Sequence, residues 1–340
     1  MQFQAAYISG SFSDDSRQDW DNLSPRPVSW SCWYPTSIDS EVTELTFGGS
    51  AESPLFTQGF VAENAQISNT QSELPLVLLS HGTGGTATGM SWLGTRLAQR
   101  GYICIGVDHH GNTATEPYRA EGFICWWERA LDLSLIIDQV NQIPAIENHV
   151  NLNEISVVGF SLGGYTALAL AGAVTSMEQF EKWLVANPNP IGGPREFPNI
   201  DQEISRLMSK SSRFRQSWKK HDESYLEPRI SKCVAIAPAP PVRAFKSESL
   251  RGVECSTFIV AGEADLEAPF EQCALWLSKQ NPDFYLKSVG KEVGHYVFLT
   301  ECTEQGKCLE SDICIDHPGI IRSTIHDEVS IMIDDFLTTG

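Results

Sequence analysis

Residues Asn153–Ala173 read NEISVVGFSLGGYTALALAGA, and this stretch decides the fold. Ile155 to Val158 is a short, β-branched apolar run of the length of a buried strand. Gly159-Phe160-Ser161-Leu162-Gly163 follows, and then an Ala/Leu-rich helical segment. Strand, G-x-S-x-G and helix, in that order, form the setting of a nucleophile elbow. So tight a turn strains the serine and leaves no room for Cβ atoms two residues to either side, a demand Gly159 and Gly163 meet. Gly164 and Ala167 let the helix lie close to the strand. The helix N-terminus aims free N–H groups at the serine, ready for a developing oxyanion. The bland alternative is a glycine-rich turn with an incidental serine. Partners downstream in the required order favour Ser161 as a nucleophile.

A serine hydroxyl needs a base within hydrogen-bond reach, and the base needs a carboxylate to orient it. In this topology the chain order is serine, acid, histidine. The apolar run Phe258–Ala261 leads into Gly262-Glu263-Ala264-Asp265-Leu266-Glu267, which puts Asp265 at a strand's carboxyl end, with Glu263 and Glu267 as rivals. Val293-Gly294-His295 follows the strand-like Phe284–Val289 and supplies the base. His317 precedes a Pro-Gly turn and His326 falls within the last helix, so both read as structural. The oxyanion needs two N–H donors, expected from Leu162 and from Thr83 in the turn Ser80–Gly85. That turn matches no phosphate-binding pattern. His81 reads as ordering it, and Asp108–Asn112 as loop-ordering polar residues rather than substrate contacts. Phe123, Trp126 and Trp127 read as core or pocket wall. No cofactor and no metal is expected.

Outward from the elbow, the chain alternates strands and helices. Val28–Tyr34, Leu74–Ser80, Ile103–Val107, Val234–Ala237, Phe258–Ala261 and Phe284–Val289 read as strands, with Leu74–Ser80 central and covered on both faces. Ser91–Arg100, Gly122–Val140 and Ile325–Leu337 read as helices. The pattern predicts an α/β fold, a mostly parallel central sheet with helices on both faces. Residues 1–27 read as polar and turn-rich, and 36–73 as weak strands and loop at the sheet edge. The polar stretch 175–227, with Pro188, Pro190, Pro194 and Pro198, breaks the rhythm. It reads as an inserted helical cap or lid within a single domain spanning 1–340, against the alternative of a solvent-facing excursion.

A formal charge of −19 over 340 residues argues against nucleic acid as a partner. No run approaches the ~18 apolar residues of a membrane span. The N-terminus lacks a basic and an apolar region, so no signal peptide is expected here, which leaves a mature secreted form open. Nine cysteines show no metal-like spacing. Their scatter favours a reduced, cytoplasmic protein, with Cys302, Cys308 and Cys314 as the one cluster able to form a disulfide.

The segments HGTGG (81–85), DHHGNT (108–113), GFSLGG (159–164), AGEADLEAP (261–269) and GHYVFL (294–299) resemble, in order, those of α/β-hydrolases. Together with the tail CTEQGKC…CIDHPGIIRSTIHDEV, they are similar to the bacterial branch related to plasma-type platelet-activating factor acetylhydrolases, or predicted dienelactone hydrolases. The resemblance covers residues 28–338. It implies Ser161 as nucleophile, Asp265 as acid, His295 as base, and Thr83 and Leu162 as oxyanion donors. Dienelactone hydrolases use a cysteine where this chain has Ser161. The plasma enzymes place their acid after an earlier strand, where Val234–Ala239 offers no carboxylate. The expected activity is therefore that of a serine esterase on short-chain carboxylic esters of small molecules. The alternatives are an amidase or peptidase with the same triad, and a non-catalytic binding module.

Overall fold

A computed structural model describes residues 3–68, 73–187 and 193–339. The strands are β1 (Gln4–Gln18), β2 (Pro25–Thr36), β3 (Thr43–Ser50), β4 (Ser53–Glu63), β5 (Leu74–Ser80), β6 (Ile103–Asp108), β7 (Val150–Phe160), β8 (Ile230–Ile236), β9 (Ser256–Ala261) and β10 (Phe284–Ser288). They form one sheet in the order β10-β9-β8-β7-β5-β6-β2-β1-β4-β3. From β10 to β6 every pairing is parallel. The antiparallel β2 and the β3–β4 hairpin extend the sheet beyond β6.

The helices are α1 (Ser91–Ala98), α2 (Ala120–Ile124), α3 (Glu128–Gln139), α4 (Leu162–Leu170), α5 (Met177–Ala186), α6 (Ile200–Lys210), α7 (Ser212–Trp218), α8 (Ser247–Arg251), α9 (Ala274–Ser278), α10 (Glu304–Leu309), α11 (Ser311–Cys314) and α12 (Arg322–Thr338). The continuous apolar run of β5 is explained by burial on both faces. Leu76 and Leu78 pack in one core with Leu133 and Ile136 of α3 and Leu168 of α4. Val77 and Leu79 pack in the other with Leu93 and Leu97 of α1 and Val329 and Ile333 of α12. The twofold alternation of a strand thus feeds two separate cores.

Two expectations are corrected. Residues 1–27 are not merely turns, because Gln4–Gln18 is a strand antiparallel to β2, with Ile8 opposite Cys32 and Asp14 opposite Arg26. Ala5 and Ala6 are fully buried and Ile8 and Phe12 pack against the core, but the polar residues around and beyond them leave no sustained alternation for hydropathy to detect. The stretch 122–140 is not one helix. It breaks at Cys125–Trp127, and Glu128, Arg129 and Asp132 in the next helix are buried rather than solvent-facing.

The stretch 175–227 contributes α5, α6 and α7. Pro188 and Pro190 lie outside the described residues; Pro194 and Pro198 fall between α5 and α6. Met177, Leu207 and Phe214 from this stretch share a small core with Trp20, Ile124 and Trp127. Cys302 and Cys314 form a disulfide and Cys308 is exposed. Disulfides persist chiefly in oxidising surroundings, so this pairing weighs against the cytoplasmic expectation. Among the described residues, no helix is long and apolar enough to cross a membrane.

Candidate active site

Ser161 stands between β7 and α4 with φ 55° and ψ −117°, a conformation costly for a residue with a Cβ. The surroundings hold it there. Its N–H donates to the Ile236 carbonyl at 2.8 Å, and its carbonyl accepts from Gly164 N–H at 2.9 Å and Ala239 N–H at 3.1 Å. The flanking glycines are obligatory on steric grounds. A Cβ on Gly159 would lie 1.8 Å from the Gly163 carbonyl oxygen, and one on Gly163 would lie 1.9 Å from that of Ser80.

His295 follows β10 and Asp265 follows β9, so parallel pairing of these strands with β8 and β7 delivers both loops to the edge where Ser161 sits. His295 Nδ1 is 2.7 Å from Asp265 Oδ2, and Nε2 is 3.0 Å from Ser161 Oγ. A carboxylate can only accept, so Nδ1 carries the proton and Nε2 is free to accept from the serine hydroxyl. Asp265 Oδ1 accepts from Ala268 N–H at 2.7 Å, which fixes the carboxylate plane. All three residues are buried, with Ser161 and His295 at 6% and 7% exposure.

The rivals stand elsewhere. Glu263 is exposed and accepts from the Ser288 hydroxyl at 2.7 Å, and Glu267 is exposed. His317 is exposed against the Pro318 carbonyl. His326 donates through Nε2 to the carbonyls of Val297 and Leu299 and stacks on Trp92. Burial pushes its pKa down to about 3, and nearby Arg96 adds to the effect.

The turn after β5 abuts the serine, since a Cβ on Gly82 would come within 3.1 Å of Ser161 Cβ. Leu162 is the first residue of α4, so its N–H has no intrahelical acceptor. Among the described residues, no acceptor meets the Thr83 N–H. His81 orders the turn as expected. Its Nδ1–H donates to the Gly82 carbonyl at 2.6 Å and its Nε2 accepts from His109 N–H at 3.2 Å. Asp108 and Asn112 are also loop-ordering, accepting from Ala87 N–H at 2.7 Å and Gly84 N–H at 2.8 Å.

Behind this turn lies a buried polar layer that the sequence did not announce. His109 Nε2 meets Ser80 Oγ at 2.9 Å and its Nδ1 meets Asp132 Oδ2 at 3.0 Å. Burial, with the Arg129 cation beside it, pushes His109 down to about 3, so the ring is neutral. Burial alone would raise Asp132, but Arg26 and Arg17 outweigh it and hold the carboxyl well below its usual range. The pattern E-R-A-L-D at 128–132 carried the only sequence signal, three charged residues at positions 1, 2 and 5 directly after Trp126-Trp127.

The stretch 175–227 reaches the same turn. The Glu196 side chain lies against Gly84, Phe197 packs on Phe123 with ring centres 5.1 Å apart, and Arg195 pairs with Glu310 at 2.8 Å. Among the described residues, no group of three or more His, Cys, Asp or Glu side chains could hold a metal ion.

Comparison with known proteins bears on the fold and on the segment that holds the elbow. The family described as "Serine aminopeptidase, S33" matches residues 71–236, a span that includes the elbow and the turn after β5 but ends before Asp265 and His295. Among curated proteins, the chain is 26% identical to "Cutinase est1" of Thermobifida alba over 139 residues, 40% of this chain and 44% of that protein. It is 28% identical to "Cutinase est2" of the same organism over 95 residues, 28% of this chain and 29% of that protein. The matched segments thus span less than half the length of these relatives. A solved structure, a ferulic acid esterase from Streptomyces cinnamoneus, superposes with a TM-score of 0.65 at 16% identity, covering 99% of this chain and 90% of that one. With its parallel β5–β10 sheet, helices on both faces and the elbow at Ser161, the chain has the α/β-hydrolase fold.

Proposed function

We propose that this protein is a cofactor-free serine hydrolase of carboxylic esters, with a preference for short acyl chains. The observation that carries this reading is the linear array Asp265–His295–Ser161, at 2.7 and 3.0 Å, ending on a serine held in a strained turn. Ser161 Oγ attacks the ester carbonyl while His295 Nε2 takes its proton. The oxyanion is received by the Leu162 and Thr83 N–H groups. His295 then protonates the departing alcohol, leaving an acyl group on Ser161. Water, activated by the same imidazole, attacks this acyl-enzyme and releases the carboxylic acid. Asp265 keeps the imidazole in the tautomer that accepts from serine and stabilises the imidazolium that forms.

Supporting evidence comes from the cutinases and the ferulic acid esterase, whose names describe ester hydrolysis, and from the resemblance to the acetylhydrolase-related branch. Residues 175–227 act in this reading as a cap on one domain, supported by Glu196 and Phe197 reaching the site's rim. A second reading, amide hydrolysis at a peptide N-terminus, is favoured by the description of the matching family.

The test is hydrolysis of p-nitrophenyl acetate through decanoate, and of aminoacyl p-nitroanilides, by the wild type and Ser161→Ala. The expected result is turnover of the short esters, reduced by at least about 10³-fold in the variant. Turnover of anilides alone would move the assignment to the second reading. Ester turnover unchanged in Ser161→Ala would overturn both.

A further inference from the structure

The guanidinium of Arg129 is buried at 1% exposure and hydrogen-bonds to none of Asp265, His295 and Ser161, yet it reaches both loops that carry the oxyanion donors. On one side it bonds the His81 carbonyl, two residues before Thr83, and the Ser80 hydroxyl at 3.3 Å. It also donates at 3.3 Å to Asn112 Oδ1, the atom that receives the Gly84 N–H. On the other side Nε donates at 3.1 Å to Thr166 Oγ1, whose hydroxyl in turn donates to the Leu162 carbonyl at 3.2 Å. A single rigid fork therefore spans the turn of Thr83 and the first turn of the helix that begins at Leu162.

The fork is itself held from behind. Asp132, one turn along α3, is gripped by Arg26 at 2.8 and 2.9 Å and by Arg17 at 2.6 Å. Through His109 it orients the Ser80 hydroxyl, which gives its hydrogen to His109 and accepts from Arg129. Ser80–His109–Asp132 thus repeats the bonding order of a catalytic triad, but at 0–1% exposure it meets no substrate. Burying an arginine is costly, and here burial drives its pKa down to about 9 against the pull of Asp132. An apolar residue of similar length would fill the same space without that cost.

We propose that Arg129 is a positioning residue that sets the separation and aim of the two oxyanion donors, Thr83 N–H and Leu162 N–H. The proposal rests on the hydrolase reading above. A planar fork with several fixed N–H directions suits this task; a lysine ammonium, a point charge on a flexible stem, does not.

The experiment compares kcat/KM for p-nitrophenyl acetate and its thionoacetate counterpart in the wild type, Ser161→Ala, Arg129→Met, Arg129→Lys and Thr166→Val. Thermal unfolding is measured for each protein. Sulfur accepts hydrogen bonds poorly, so a well-aimed oxyanion hole favours the oxygen ester and a misaimed one loses that preference. Arg129→Met is expected to lower oxygen-ester kcat/KM by about 10²-fold. The oxygen-to-sulfur ratio should fall about tenfold or more, with KM little changed. Arg129→Lys should recover less than half of the loss on a logarithmic scale.

Thr166→Val removes only the arm to α4 and keeps the shape, so it reports even where Arg129→Met does not fold. About a tenfold loss with a narrowed ratio is expected there. An unchanged ratio in the folded variants would overturn the proposal and leave the hydrolase reading intact, as would full recovery in Arg129→Lys. A wild type no more active than Ser161→Ala would overturn both.

Discussion

Replacing Asp265 by asparagine changes one atom's worth of chemistry at the site and leaves its volume intact. In the native arrangement Oδ2 accepts the His295 Nδ1–H at 2.7 Å and Oδ1 accepts the Ala268 N–H at 2.7 Å. The backbone N–H demands an acceptor, so in Asp265→Asn the amide oxygen takes the Oδ1 place and the NH₂ group faces Nδ1. An NH₂ group there can only donate, so Nδ1 must give up its hydrogen and Nε2 must carry one. That hydrogen points at Ser161 Oγ, 3.0 Å away, and the imidazole is no longer a base for the serine. The general Ser-His-Asp case assigns this tautomer inversion about 10⁴ in kcat, which is about 5 kcal/mol of transition-state stabilisation. Thermal stability should change little, because both hydrogen bonds are kept with one donor reversed. The assay is steady-state hydrolysis of p-nitrophenyl acetate, with active-site titration to count folded enzyme. Glu263→Gln and Glu267→Gln serve as controls and are expected to stay within about threefold of the wild type, both side chains being exposed. A kcat for Asp265→Asn within tenfold of the wild type, or an equal loss in either control, would refute the assignment of Asp265 as the acid.

Gly163→Ala is expected to cost at least about 3 kcal/mol in urea unfolding, because the new methyl would lie 1.9 Å from the Ser80 carbonyl oxygen in a wall made of backbone; a loss below 1 kcal/mol would mean that the elbow can relax. His326 contributes a pH term whose sign is fixed by its lowered pKa. The unfolded state gains a proton near 6.5 and the folded state only near 3, so stability is complete above 6.5 and falls as the pH drops through that window. His326→Gln, whose amide can still donate to the Val297 carbonyl, should reduce the slope of unfolding free energy between pH 6 and pH 4 by about 1.4 kcal/mol per unit. Parallel slopes in the two proteins would show that His326 is already protonated in the folded state.

The elbow, the acid loop and the base loop were legible because each is a local signal, an apolar run ended by a glycine turn and a polar residue. Strand adjacency then brings Ser161, Asp265 and His295 together across 134 residues without any further sequence cue. The choice of Asp265 over Glu263 and Glu267 rested on its place after Phe258–Ala261 and on the family resemblance, since three carboxylates within five residues otherwise differ only in which one the loop turns inward. The role of α3 was not legible. Glu128, Arg129 and Asp132 have the composition of a wetted helix face, and their burial is made tolerable by distant partners: Arg17, 111 to 115 residues away, Arg26, 106 residues from Asp132, and Arg213, which pairs with Glu128 at 2.9 Å. Pairings at such separation leave no periodicity in the chain. The strand Gln4–Gln18 escaped because its few core-facing side chains, Ala5, Ala6, Ile8 and Phe12, stand among polar residues with no sustained alternation, while its backbone pairs with β2 along most of its length.

His295 hangs from β10, a five-residue strand that ends the sheet and is paired on one side alone. The serine, by contrast, sits on β7 among the central strands. The two halves of the proton transfer are therefore mounted on an edge strand and on a central one. Fraying at the β10 margin would withdraw the imidazole while the elbow remained folded, so heat inactivation should set in below the temperature at which the molecule melts as a whole. Cooling would rezip one short strand against an intact template, and activity lost in this way should return within seconds rather than on the timescale of refolding.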